Sequence, residues 1–192
     1  ESTISSRDER LEHFTSVGVA VSRMCRDPLL QYGEKGFSDH KLKKSSYEVE
    51  QVVLAIIVTT GIASIFLTKD FTPDYNSGLA HAVFYALTSY PVIEEKHLHG
   101  EVVGFGVLLA LLVDGQYEEF EKVYALNKEI GLPISLEEIE ITKEQWEESM
   151  NRIPDMSDVA HYPYKVTKEM LEDAMNRLKA RVKEDAADGE GK

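Results

Sequence analysis

The residues with the clearest capacity for chemistry are the six histidines and the single cysteine. His81 lies in the segment Ser77-Gly78-Leu79-Ala80-His81-Ala82-Val83-Phe84-Tyr85-Ala86-Leu87. An imidazole on an otherwise apolar helix needs a partner, because an unpaired polar group there is costly. A hydrogen bond to a backbone carbonyl in the core would meet that need, and so would a metal ion. His99 opens the segment His99-Gly100-Glu101-Val102-Val103-Gly104-Phe105-Gly106, which reads as a helix start with Glu101 favoured by the positive helix end. Its plain role is that of a capping histidine. Two neutral imidazoles brought together from adjacent helices suit zinc or iron, yet they fill only two positions of a site that takes three protein ligands and one open position. A carboxylate must come from elsewhere. His13, His40, His97 and His161 lie in polar, charged or turn-like surroundings and are expected to serve surface or capping roles.

The other familiar constellations do not occur. Gly104-Phe105-Gly106 is no dinucleotide fingerprint, since Leu109 stands where the third glycine belongs and no strand pattern precedes it. Each glycine inside a helix costs about 1 kcal/mol relative to alanine, so close approach of another backbone is the expected compensation. The chain has no His-Glu-x-x-His helix, no Walker loop and no Gly-x-Ser-x-Gly elbow, and no catalytic or cofactor-binding residue is assigned. A metal-dependent hydrolase using Glu101 as general base meets a directional objection. Glu101 follows His99 by two residues, and such side chains point different ways on a helix.

The elements that must position the two histidines read as helices joined by short connections, with breakers between long periodic segments. A first helix is expected from about Arg7 to Cys25, stopping before Pro28. A short second one carries Leu29, Leu30 and Tyr32 and ends at Gly33 or Gly36. Ser45-Ser46-Tyr47-Glu48 looks like a capping box that opens the apolar helix through Leu67. Thr72-Pro73-Asp74 begins the helix that carries His81 to Tyr90, and another follows from near Gly100 to Val113. Further caps stand at Ser135 with Glu138, at Thr142 with Gln145 and at Thr167. About eight helices result, with no alternating run that supports a sheet, and residues from Glu184 onward read as a polar, disordered tail. One helical domain over residues 1–183 is expected.

The apolar stretches Val52 to Leu67 and Val102 to Val113 fall short of the roughly 18–20 residues of a membrane span and read as buried helices. The 192 residues carry 34 Asp+Glu against 21 Lys+Arg, a formal net charge of −13 that repels nucleic-acid backbones and anionic membranes. Cys25 alone permits no intrachain disulfide and no cysteine zinc cluster, which places the chain in a reducing compartment, the cytoplasm by default. The first residue is Glu1 rather than Met, as in an excised or processed piece of a longer protein, and 192 residues leave no room for a full two-domain dehydrogenase.

Taken together, the segment around His81 and the His99-Gly100-Glu101 block eighteen residues later resemble the metal-binding segment of the glycerol dehydrogenase branch of iron-containing alcohol dehydrogenases. Gly131-Leu132-Pro133-Ile134-Ser135-Leu136 and His161-Tyr162-Pro163-Tyr164-Lys165-Val166-Thr167 extend the resemblance, and Cys25 through Gly36 is more weakly similar. The resemblance implies an all-α, multi-helix bundle like the C-terminal domain of dehydroquinate synthase-like and iron-containing alcohol dehydrogenases. It implies His81 and His99 as ligands of zinc or iron, a polyol or small-alcohol substrate, and NAD(P) bound only by an N-terminal nucleotide-binding domain as partner. A cleft wall of this kind is apolar and tends to self-associate, so a homo-oligomer is expected. The family's third ligand is an aspartate near the start of the helical domain; Asp8 is the nearest candidate, although it lies too close to Cys25. Phe84 stands where the family often has a second histidine. The alternative is a stand-alone, non-catalytic helical interaction module descended from such a domain.

Overall fold

The computed structural model describes residues 1–68 and 75–190, the side chains of 188–190 excepted. Among these residues there is no strand, and the chain is all-helical as expected. Contacts divide it into two units, Glu1–Ser77 with His161–Pro163, and Gly78–Ala160 with Tyr164–Lys192.

The first unit holds α1 (Ser2–Ser5), α2 (His13–Lys41), α3 (Tyr47–Leu54), a π-helical turn (Ala55–Thr59) and α4 (Thr60–Leu67). The two helices expected on either side of Pro28 are one, with the proline inside α2. An interior proline forfeits a hydrogen bond and crowds the preceding turn, at about 3 kcal/mol. Packing along the whole length of α2 offsets that cost. Near one end a β-carbon on Gly18 would lie 2.8 Å from Leu67, and near the other a β-carbon on Gly36 would lie 3.2 Å from the Glu48 carbonyl oxygen. Gly33 and Gly36, expected to end a helix, are buried within it. Val19, Ala63 and Leu67 form the core of this unit, with Leu11, Val21, Cys25 and Tyr75 against them.

Ser46 caps α3 by accepting from the Val49 amide at 3.3 Å. The helical run that follows, Tyr47–Leu67, departs from expectation. It is 21 residues long with a mean hydropathy of 2.0 over its best 18-residue window, long and apolar enough by length and composition to cross a membrane. It is not a buried helix, because only 11% of that window is covered. Ile57 and Ile65 are each 68% exposed, and Val53, Leu54, Ile56, Val58 and Ile62 are exposed beside them. The Thr72-Pro73-Asp74 start lies outside the described residues.

The second unit holds α5 (Leu79–Leu87), α6 (Pro91–Lys96), α7 (His99–Val113), α8 (Tyr117–Ile130), α9 (Lys143–Met150) and α10 (Lys168–Glu190), with 3-10 turns at Glu137–Ile139, Ile153–Asp155 and Ser157–Val159. The apolar stretch Val102 to Val113 is buried as expected, and Phe105, Leu108 and Leu109 are fully enclosed. Each such side chain contributes about 1.5–3 kcal/mol of transfer free energy. Thr142 and Gln145 close the expected capping box, with Gln145 N donating to Thr142 Oγ1 and Thr142 N donating to Gln145 Oε1. Helix α10 continues past Glu184 instead of giving way to a loose tail. Asp185 accepts there from Lys128 Nζ at 2.7 Å, Arg181 at 2.6 Å and the Tyr124 hydroxyl at 3.0 Å. Those bonds hold the carboxylate well below its usual range, at about 2, while burial and the same carboxylate push Tyr124 up to about 12.

Candidate metal centre

His81 occupies the first turn of α5 and His99 the first position of α7. Helix α5 buries Leu79, Ala80, Ala82, Val83, Ala86 and Leu87 and leaves His81 half-buried at its edge, so the imidazole is not a core group. His99 is exposed, and Leu98 rather than His99 is the residue before the helix.

The two rings meet, with centroids 5.4 Å apart and planes inclined by 45°. Phe84, one turn beyond His81, packs edge-to-face on His99 at 4.4 Å. Tyr85 lies against Phe84 at 5.3 Å and 6.2 Å from the His81 ring. Imidazoles bound tetrahedrally through bonds of about 2.0–2.1 Å bring their ring centres to roughly 5 Å. Among the described residues no group of three or more His, Cys, Asp or Glu side chains is gathered to hold a metal. The pair therefore supplies two donors and no more. Asp8, at φ 66°, belongs to the first unit, whereas both histidines belong to the second.

Helix α7 reaches α5 through a backbone contact. A β-carbon on Gly106 would lie 2.6 Å from the Ala80 carbonyl oxygen and 2.8 Å from the Ala80 Cα. The expected close approach is thus real at Gly106. At Gly104 it is not, since a β-carbon there would meet only the Leu132 side chain at 3.6 Å and the Asn127 amide at 3.8 Å.

Glu101 is occupied structurally, accepting from the Leu98 amide at 2.9 Å in the first turn of α7. His97 is the C-cap residue of α6, as a capping role requires, but its side chain is only 11% exposed and sits between Glu101 at 3.7 Å and Glu140 at 3.5 Å. It borders a cavity of about 400 Å³ with Lys96, Glu101, Lys128, Leu132 and Glu138. Sequence reasoning missed Arg152, which donates to the Ala86 carbonyl oxygen and Ser89 Oγ at the end of α5. No local pattern marks it.

The chain is 33% identical to the glycerol dehydrogenase of Pseudomonas putida over 135 residues, covering 68% of this chain and 33% of that one. It is 34% identical to the Thermotoga maritima glycerol dehydrogenase over 126 residues, 62% of this chain and 31% of the relative. The chain is related to the glycerol dehydrogenases. Escherichia coli hydroxycarboxylate dehydrogenase A is 30% identical over 138 residues, 72% of this chain and 37% of its own. No family model matches. A probable glycerol dehydrogenase from Sinorhizobium meliloti shares the fold with a TM-score of 0.72 at 22% identity, over 95% of this chain and 51% of that one. The Schizosaccharomyces pombe glycerol dehydrogenase gives 0.71 at the same identity. The all-helical architecture is shared with those two solved structures, and the chain spans about a third of the length of the glycerol dehydrogenases it matches in sequence and about half of the Sinorhizobium meliloti chain.

Proposed function

We propose that this chain is the helical, metal-binding part of a glycerol dehydrogenase-like oxidoreductase acting on a polyol or small alcohol, with His81 and His99 as two ligands of zinc or iron. The 5.4 Å separation of their rings carries the reading. Neutral imidazoles donate ring nitrogen lone pairs to such an ion, and a bound ion supplies Lewis acidity that polarises an alcohol oxygen. Phe84 packs on His99 and Tyr85 lies beside His81, flanking the pair. NAD(P) belongs in this reading to an N-terminal nucleotide-binding partner domain, and the cytoplasm is the compartment that fits a free Cys25. With no dinucleotide fingerprint in its sequence, the chain by itself is expected to show no NAD-dependent turnover.

Elemental analysis of the purified chain tests it. Near-stoichiometric zinc or iron that disappears in a His81→Ala, His99→Ala double variant is the expected result. A chain that takes up neither metal overturns it. The second reading, a non-catalytic helical interaction module, is favoured by two observations: among the described residues no third donor is gathered, and Tyr47–Leu67 presents an uncovered apolar face.

A further inference from the structure

We infer that Gly106 is the positioning residue of the histidine pair, its bare α-carbon fixing the helix spacing that brings the His81 and His99 rings together. The inference rests on the metal reading for its functional meaning and on packing for its geometry. Ala80 lies against Gly106 while Phe84, one turn further along α5, lies against His99. Along the two helices the contacts therefore run in opposite senses, and the Ala80–Gly106 contact sits directly beside His81 and two turns of α7 from His99.

The contact is backbone on both sides. A β-carbon 2.6 Å from a carbonyl oxygen and 2.8 Å from an α-carbon cannot be relieved by turning a side chain, so the helices must separate or tilt. Ala80 immediately precedes His81, and displacement of its peptide moves the imidazole directly. Close packing leaves no slack to absorb the shift, because Ala80 and Phe105 are both fully enclosed. Glycine within a helix is intrinsically unfavourable, so the position carries a local cost that the spacing repays. Gly104, in the same helix, provides the matched comparison, since a methyl group there meets only ordinary contacts.

The test compares Gly106→Ala with Gly104→Ala in the full chain by two measurements. The first is the set of through-space NMR cross-peaks between the His81 and His99 ring protons. The second is affinity for Zn²⁺ by competition with a chromophoric chelator. Gly106→Ala is expected to lose the cross-peaks and to weaken Zn²⁺ binding by about tenfold or more, the scale on which supporting residues act on metal sites. Gly104→Ala is expected to keep both. Retained cross-peaks and affinity in Gly106→Ala, or equal losses in Gly104→Ala, overturn the inference. Should the wild-type chain bind no Zn²⁺, the metal reading fails on its own, and the cross-peaks still decide the role of Gly106. If Gly106→Ala does not fold in buffer, the readings are repeated in trimethylamine N-oxide, which strengthens compaction. Failure to fold there as well overturns the inference, because the glycine then serves folding as a whole.

Discussion

Arg152 reaches the Ala86 carbonyl oxygen at 2.9 Å and so ties the last turn of α5, the helix that carries His81, to the segment following α9. A cation at a helix C-terminus satisfies an orphan carbonyl and opposes the negative dipole end. Its second bond, to Ser89 Oγ at 2.7 Å, holds the connection into α6. Arg152→Ala is expected to cost about 1–3 kcal/mol in chemical denaturation, the range for a hydrogen bond from a charged donor. Arg152→Lys should recover only part of it, because an ammonium cannot span both acceptors as the planar fork does.

Asp185 makes stability depend on acid. Its pKa is lowered to about 2 by Lys128 and then Arg181, so the folded chain holds the carboxylate ionised where the unfolded chain takes up a proton. The contribution is complete above the ordinary carboxylate range and is lost as pH falls from about 5 toward 2. Asp185→Asn is expected to flatten that part of the stability profile, measured by thermal unfolding across pH. An unchanged acid limb would contradict the assignment.

Ile57 and Ile65 protrude from the helical run Tyr47–Leu67 without covering any core. Replacing both with glutamate should leave the unfolding free energy within about 0.5 kcal/mol each, as for other uncoupled surface changes. The same double variant should bind markedly less hydrophobic dye than the wild type.

Pro28 stands inside α2, where it withholds an amide from the helix. Pro28→Ala is expected to stabilise the chain by about 1–3 kcal/mol, since alanine restores the bond and removes the ring clash. Chemical denaturation reads it directly.

The histidine pair was legible in the sequence because an imidazole among alanines and a His-Gly-Glu helix start are unusual, and their meeting needs only one helix packed on the next. Helix α7 was legible for the same reason: its apolar residues surround the whole helix, and a helix apolar all round is buried. The apolar stretch before it obeys the same composition and lies exposed, because composition records what a surface prefers, not what covers it. Pro28 misled because the rule it obeys is local, whereas the contacts that override it, at Gly18 and Gly36, join residues far apart in the chain. Arg152 left no trace for a related reason. Its partners lie 63 and 66 residues away.

The π-helical turn Ala55–Thr59, where the Thr60 hydroxyl donates to the Ala55 carbonyl at 3.0 Å, gives the chain a residue in reserve. Such a turn is an α-helix with one residue too many. Deleting one residue there would yield a plain helix with both flanks still seated on α2, Val52 near Gly36 and Leu67 near Gly18. The same deletion anywhere else between Tyr47 and Leu67 would rotate one of those flanks by about 100°, a single residue's turn in a helix of 3.6 residues. Within that helical run, the five positions of the turn are therefore where a one-residue deletion is expected to be tolerated.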